Sequence, residues 1–150
     1  IDIVQNETQV TLMFEDEGAV QRVYTVGREM PENWVDSGMG YSVGRWQDGA
    51  LLIRSGWLLA NWIAGQGLEH RGRKTVVTER YTITKDRKFL LAELFLEDPL
   101  TYTKQLHRVR GYERDMSAMI FPYECDAYTF FSGLHQDGKS AEYFQNRPKY

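Results

Sequence analysis

Period-two alternation of apolar and polar residues, repeated window after window and punctuated by tight-turn residues, constrains this chain more than any other feature. Along Val76 to Thr84, Val77, Tyr81 and Ile83 share a face with Glu79, and Thr78, Arg80, Thr82 and Thr84 take the other. Successive side chains alternate across a strand, whereas a helix returns to one face only about every 3.6 residues, so such windows read as half-buried strands. They are rich in Val, Ile, Thr, Tyr and Phe, which suit a pleated surface. Strands are predicted near residues 1–5, 8–15, 19–26, 42–47, 50–58, 73–85, 88–97, 103–112 and 119–125.

The breaks between these windows carry hairpin chemistry. Glu17-Gly18, Asp48-Gly49 and the Lys85-Asp86-Arg87 tip supply residues that tolerate the backbone angles of tight turns, so successive strands should pair antiparallel. Asp48-Gly49, between Trp46 and Leu51-Leu52-Ile53, suits a type I′ turn. A meander of this kind tends to close on itself, because closure removes unpaired edges. The expected fold is all-β, an antiparallel up-and-down β-barrel of about eight to ten strands with a short capping segment. Two segments, 27–41 and 58–72, are long enough to be lids. The second holds Leu58, Leu59, Trp62 and Ile63 at spacings of one or two helical turns, either capping the barrel mouth or packing outside it. Residues 132–150 are polar, with Gly133, Gly138 and Pro148, and read as a tail to a single domain over 1–131.

A chain of 150 residues, 42% hydrophobic and 26% charged, is apolar enough to build one core and too polar for a membrane protein. Its net charge of −3, from 18 Lys and Arg against 21 Asp and Glu, offers no global attraction to nucleic acid or anionic lipid. The basic run Arg71, Arg73, Lys74 is interrupted by Gly72 and reads as a solvated loop. Cys125 is the sole cysteine, which excludes an internal disulfide and a Cys-based zinc cluster. No apolar stretch approaches the roughly 20 residues of a membrane span, and residues 1–15 lack the basic and apolar regions of a signal peptide. The chain opens at Ile1, which leaves its compartment open, and none of these features sets an oligomeric state.

The sorting of faces exposes an anomaly, because Glu79 points inward among apolar neighbours. Along Thr103 to Gly111, His107 shares a face with Gln105 and Val109 and is expected inward too. Met119, Phe121, Tyr123 and Cys125 form another inward row, and Leu51, Ile53, Ser55 and Trp57 a further one. A carboxylate or imidazole in an apolar cavity costs several kcal/mol unless partnered, and desolvation moves its pKa toward the range useful for proton transfer. On the functional reading, Glu79 and His107 form an acid/base pair, with Tyr81 or Tyr123 as hydrogen-bond donor, in a small-molecule pocket. On the structural one, Glu79 pairs with Arg54, Arg80 or Arg108 and His107 is a satisfied core histidine.

Other chemistries find less support. His70, His107 and His135 lack the close helical spacing of a zinc-protease motif, so no metal site is expected. No GxSxG elbow, P-loop or GxGxxG occurs, and glycines 38, 40 and 44 have the wrong spacing, so no cofactor is expected.

The chain reads GYSVGRW at Gly40–Trp46, VVTERY at Val76–Tyr81, EDPLTYTK at Glu97–Lys104 and YEC at Tyr123–Cys125. Over roughly five sixths of its length, Ile1 to Arg28 included, it resembles a largely uncharacterised, often exported bacterial family with GHSxGxW, VxERY/F, EDPxxYTK and YVC motifs. The resemblance implies a lipocalin-like (calycin-like) β-barrel and a periplasmic or secreted setting, and brings no activity to carry over. Tyr41 stands where the family usually has His, Arg54 where an acidic residue usually follows the LVV strand, and Ala64 at the Asp of the WLD segment. A polar family site would therefore keep Glu79, Arg80 and His70 here with the rest replaced, which suits specialisation to another ligand.

Together these features favour a soluble, cofactor-independent enzyme, a lyase, isomerase or cyclase, acting on a small and mainly apolar molecule with Glu79 as base. Trp46, Ser55, Trp57 and Phe121 would line its pocket, with Tyr41 and His70 at the family positions and Trp62 on the cap. Arg54, if inward, would anchor an anionic ligand. The alternatives are a noncatalytic carrier of a hydrophobic ligand in the same cavity and a protein-interaction module using exposed Trp residues.

Overall fold

Eight strands hydrogen-bond into a single curled sheet, in a computed structural model that describes residues 1–15, 18–63, 68–70, 72–121 and 127–146. For 61–63, 68–70, 127–130 and 144 the description is of the backbone alone. The strands are β1 (Asp2–Gln5), β2 (Gln9–Met13), β3 (Val20–Tyr24), β4 (Tyr41–Gln47), β5 (Ala50–Gly56), β8 (Val76–Ile83), β9 (Phe89–Glu97) and β10 (Leu106–Glu113). Between β5 and β8 a small separate hairpin pairs β6 (Asn61–Ile63) with β7 (Leu68–His70). The large sheet runs β1-β2-β3-β4-β5-β8-β9-β10, so β1 and β10 are its two ends and the architecture is a half-barrel. The expected all-β, mostly up-and-down, barrel-like fold is therefore present.

One neighbouring pair departs from the meander. β3 and β4 run parallel, with Val23 opposite Ser42 and Tyr24 opposite Val43, where antiparallel pairing was expected. Parallel neighbours need a crossover of a dozen or more residues, and 25–40 supplies it, so the segment expected to be a lid is the crossover itself. It crosses the sheet's outer face, where the Trp57 indole N–H donates to the Pro31 carbonyl at 3.0 Å and Ser37 bridges Leu58. The Asp48-Gly49 hairpin forms as expected. Gln47 pairs with Ala50 across a two-residue loop in which Asp48 has φ 50° and Gly49 φ 75°, as a type I′ turn requires. Gly49→Ala places a Cβ at that left-handed angle and should cost about 1 kcal/mol, read as a lower urea midpoint at unchanged slope.

Three local expectations are corrected. The helical stripe expected over 58–72 is the β6–β7 hairpin, a type of structure that short apolar runs leave ambiguous. The tail read over 132–150 holds the end of α1 (Ala127–Gln136) and all of α2 (Ser140–Gln145), with Gly133 inside α1 and Gly138 between the two helices. The inward strand over 119–125 is not formed at 119–121, where Met119 and Phe121 are 71% and 61% exposed. Cys125 and the rest of that row lie outside the described residues.

The core occupies the sheet's inner face. Val10, Leu12, Val23, Leu51, Ile53 and Tyr81 form one cluster, and Leu58, Val77 and Leu96 a second. Each except Leu58, which follows β5, belongs to the period-two face that its own strand devotes to burial, so packing and pattern agree.

Candidate functional site

Glu79 sits on the inner face of β8, 9% exposed, between these clusters. Register assembles its surroundings. Ile53, Glu79, Leu94 and Arg108 form one row across four strands, and Leu51, Tyr81, Ala92 and Arg110 the next. Tyr81, two residues along on the same face, donates its hydroxyl to Glu79 Oε1 at 2.9 Å. Gln21 Nε2, arriving from β3, donates to Oε2 at 2.7 Å. The same amide nitrogen lies 3.3 Å from the Ser42 and Ser55 hydroxyls, which are 2.7 Å from each other. Gln21, Ser42, Ser55 and Tyr81 are all buried.

Burial dominates the electrostatics. Desolvation pushes the Glu79 carboxyl above its ordinary value of 4.5, and the hydrogen bonds from Gln21 and Tyr81 pull against it without cancelling it. Burial, and then the adjacent Glu79 charge, push the Tyr81 hydroxyl above the ordinary tyrosine range, so it remains a donor. Chemically the cluster is a carboxyl that binds its proton more tightly than a surface carboxylate does, held by donors that fix its orientation. Among the described residues no ion pair to Glu79 forms, and no three His, Cys, Asp or Glu are grouped to hold a metal.

The structure gathers Ser55, Glu79 and Tyr81 on the inner face, with Trp46 on that same face opposite Leu51, and places His107, Arg54, Trp57 and Tyr41 elsewhere. His107 is corrected to the outer face. It pairs across β9 with Phe95, stacks on that ring at 4.3 Å and approaches Glu93 Oε1 at 3.6 Å. On the same face Arg80 pairs with Glu93 at 3.0 Å, so the carboxylate that Arg80 meets is not Glu79. The misplacement has a simple origin, since Gln105 and Val109 suggested an inward row while the inner positions of β10 are Leu106, Arg108, Arg110 and Tyr112. Arg54, opposite Thr78 and Val43, is exposed on the outer face and cannot anchor an interior ligand. Trp57 leaves the inward row because its φ of 58° breaks the alternation after β5 and turns the indole toward the crossover. Tyr41 is buried on the outer face, and Trp46 and Phe121 are exposed. The side chains of Trp62, His70 and Tyr123 lie outside the described residues.

One partner of Glu79, Gln21, escaped the sequence analysis, as did Ser42, which bonds Gln21 and Ser55 rather than the carboxyl. The signal for Gln21 was present in Val20–Tyr24, where it alternates onto the face of Val23, but only the β3–β4–β5–β8 neighbourhood aligns it with Glu79. Also unforeseen is an outer-face groove of about 350 Å³, lined by Arg22, Tyr24, Trp34 and Tyr41 among others.

Among the described residues no helix is long and apolar enough to cross a membrane. Comparisons with protein-family models, curated proteins and solved structures return no match for this chain.

Proposed function

We propose that the protein binds a small, mainly apolar organic molecule on the inner face of the half-barrel and acts on it by cofactor-independent acid/base chemistry, as a lyase, isomerase or cyclase. Glu79 is the proton-exchanging group, and Tyr81 and Gln21 position it. The observation that carries this reading is a buried carboxyl held by two neutral donors, its proton affinity raised by desolvation. The inner positions of β9 beside it, Leu90, Ala92 and Leu94, are only partly buried and offer an apolar surface within one strand of Glu79.

A noncatalytic carrier is the second reading, favoured by the fact that both Glu79 oxygens already accept hydrogen bonds within the protein. The test is proton exchange. Small cyclic ketones in D₂O, followed by proton NMR, should lose α-hydrogens faster with the protein than without it. Glu79→Gln should remove about 10²- to 10⁴-fold of that acceleration while ketone binding persists. Equal exchange by the parent and Glu79→Gln would remove Glu79 from the mechanism, and binding without exchange by the parent would establish the carrier.

A further inference from the structure

We propose that the outer-face groove beneath the 25–40 crossover is a second ligand site, and that it takes a small planar aromatic carboxylate. It opens on the other side from the inner-face reading, since Tyr24 and Tyr41 alternate onto the face of the sheet opposite Gln21 and Glu79, and of the Glu79 cluster Ser42 alone also lines it. Its volume of about 350 Å³ falls within the roughly 300–1,000 Å³ of small-molecule pockets.

Aromatic side chains from three places form its walls. Tyr24 and Tyr41 come from neighbouring parallel strands, with ring centroids 5.3 Å apart and planes 33° from parallel. Trp34 comes from the crossover and meets Tyr41 at 4.9 Å and 68°. Trp34 is nevertheless 48% exposed, so nearly half of the residue is available to a further ring. A planar ring set against tilted and edge-on neighbours is the arrangement that aromatic quadrupoles favour.

Charge selects the other end of the ligand. Arg22 lines the groove from the Tyr24 face of β3, two residues back along the strand, about 7 Å by strand geometry. Among the described residues its guanidinium makes no hydrogen bond or ion pair. The Arg28 guanidinium lies 4.1 Å over the Tyr24 ring and adds a second cation at that wall. Among the described residues no Asp or Glu lines the groove, and the nearby Asp36 is engaged by Arg73 at 2.9 Å. A guanidinium without a carboxylate partner, beside open aromatic surface, matches a carboxylate on a ring, which its planar fork can hold bidentately.

Isothermal titration of the full chain with 2-naphthoate tests this. One equivalent should bind, and Arg22→Gln and Trp34→Ala should each raise Kd about tenfold or more, the equivalent of losing one charge-assisted bond or one stacking contact. Neutral 2-naphthylmethanol and non-aromatic cyclohexanecarboxylate should each bind at least tenfold more weakly. Glu79→Gln should bind 2-naphthoate as the parent does, which separates this site from the inner-face one. Arg22 and Trp34 are exposed, and unchanged thermal midpoints will establish that both variants fold. Absence of 2-naphthoate binding by the parent, an unchanged Kd in both variants, or weakening by Glu79→Gln would overturn the proposal.

Discussion

Replacing Gly40 by alanine is expected to lower unfolding stability by about 3 kcal/mol or more, a left-handed backbone penalty of about 1 added to severe overpacking. Gly40 has φ 62° where the crossover enters β4, and a Cβ there would lie 2.1 Å from the Gly56 carbonyl oxygen and 2.9 Å from Leu58 Cδ2. The first of those atoms belongs to the backbone of β5, and Gly56 is the register partner of Tyr41, so relief requires β4 and β5 to part at their paired end. The same substitution at Gly27, φ 70° with open space around it, should cost only the backbone term of about 1 kcal/mol. Urea unfolding of both variants separates strain from close approach, and equal losses would show that the β4–β5 end yields freely.

Glu79→Ala should cost about 2–6 kcal/mol, because Gln21 Nε2 and Tyr81 OH each lose a buried acceptor, at about 1–3 kcal/mol apiece. Glu79→Gln should behave oppositely near neutral pH. The native carboxyl binds its proton more tightly than the unfolded one, whose ordinary value is 4.5. Its contribution to stability is therefore complete below that value and is lost as pH rises toward the raised native one. The glutamine has no charge to desolvate and can accept from Tyr81 while donating to the Gln21 carbonyl oxygen. Its advantage over the parent should be larger at pH 7 than at pH 4, measured by urea unfolding across that range. A pH-independent difference would mean that Glu79 titrates alike in the folded and unfolded chains.

How much was legible in the sequence differs between strands. β8 could be read directly, since Val77, Glu79 and Tyr81 alternate with polar residues and the inner face is unambiguous. β10 could not, because its inner face carries Arg108 and Arg110 while its outer face carries Val109, the reverse of the hydrophobic rule. Among the described strands β10 is the last of the sheet, and this inverted pattern is why His107 was assigned to the wrong side. Trp57 illustrates a different limit, since one left-handed residue reverses the alternation and no composition rule announces it.

The all-β character, the type I′ turn at Asp48-Gly49 and the inward direction of Glu79 were legible in the residues, because each depends on local periodicity or local backbone preference. Which groups meet was not. Gln21, Ser42, Ser55 and Glu79 lie on four different strands, and their contact rests on β3 pairing parallel with β4 and on β8 pairing with β5 across the β6–β7 excursion. Strand order is a property of long-range pairing, in which non-local contacts compensate the entropy of closing the 25–40 and 57–75 connections, and nothing in a strand's own residues encodes its neighbour.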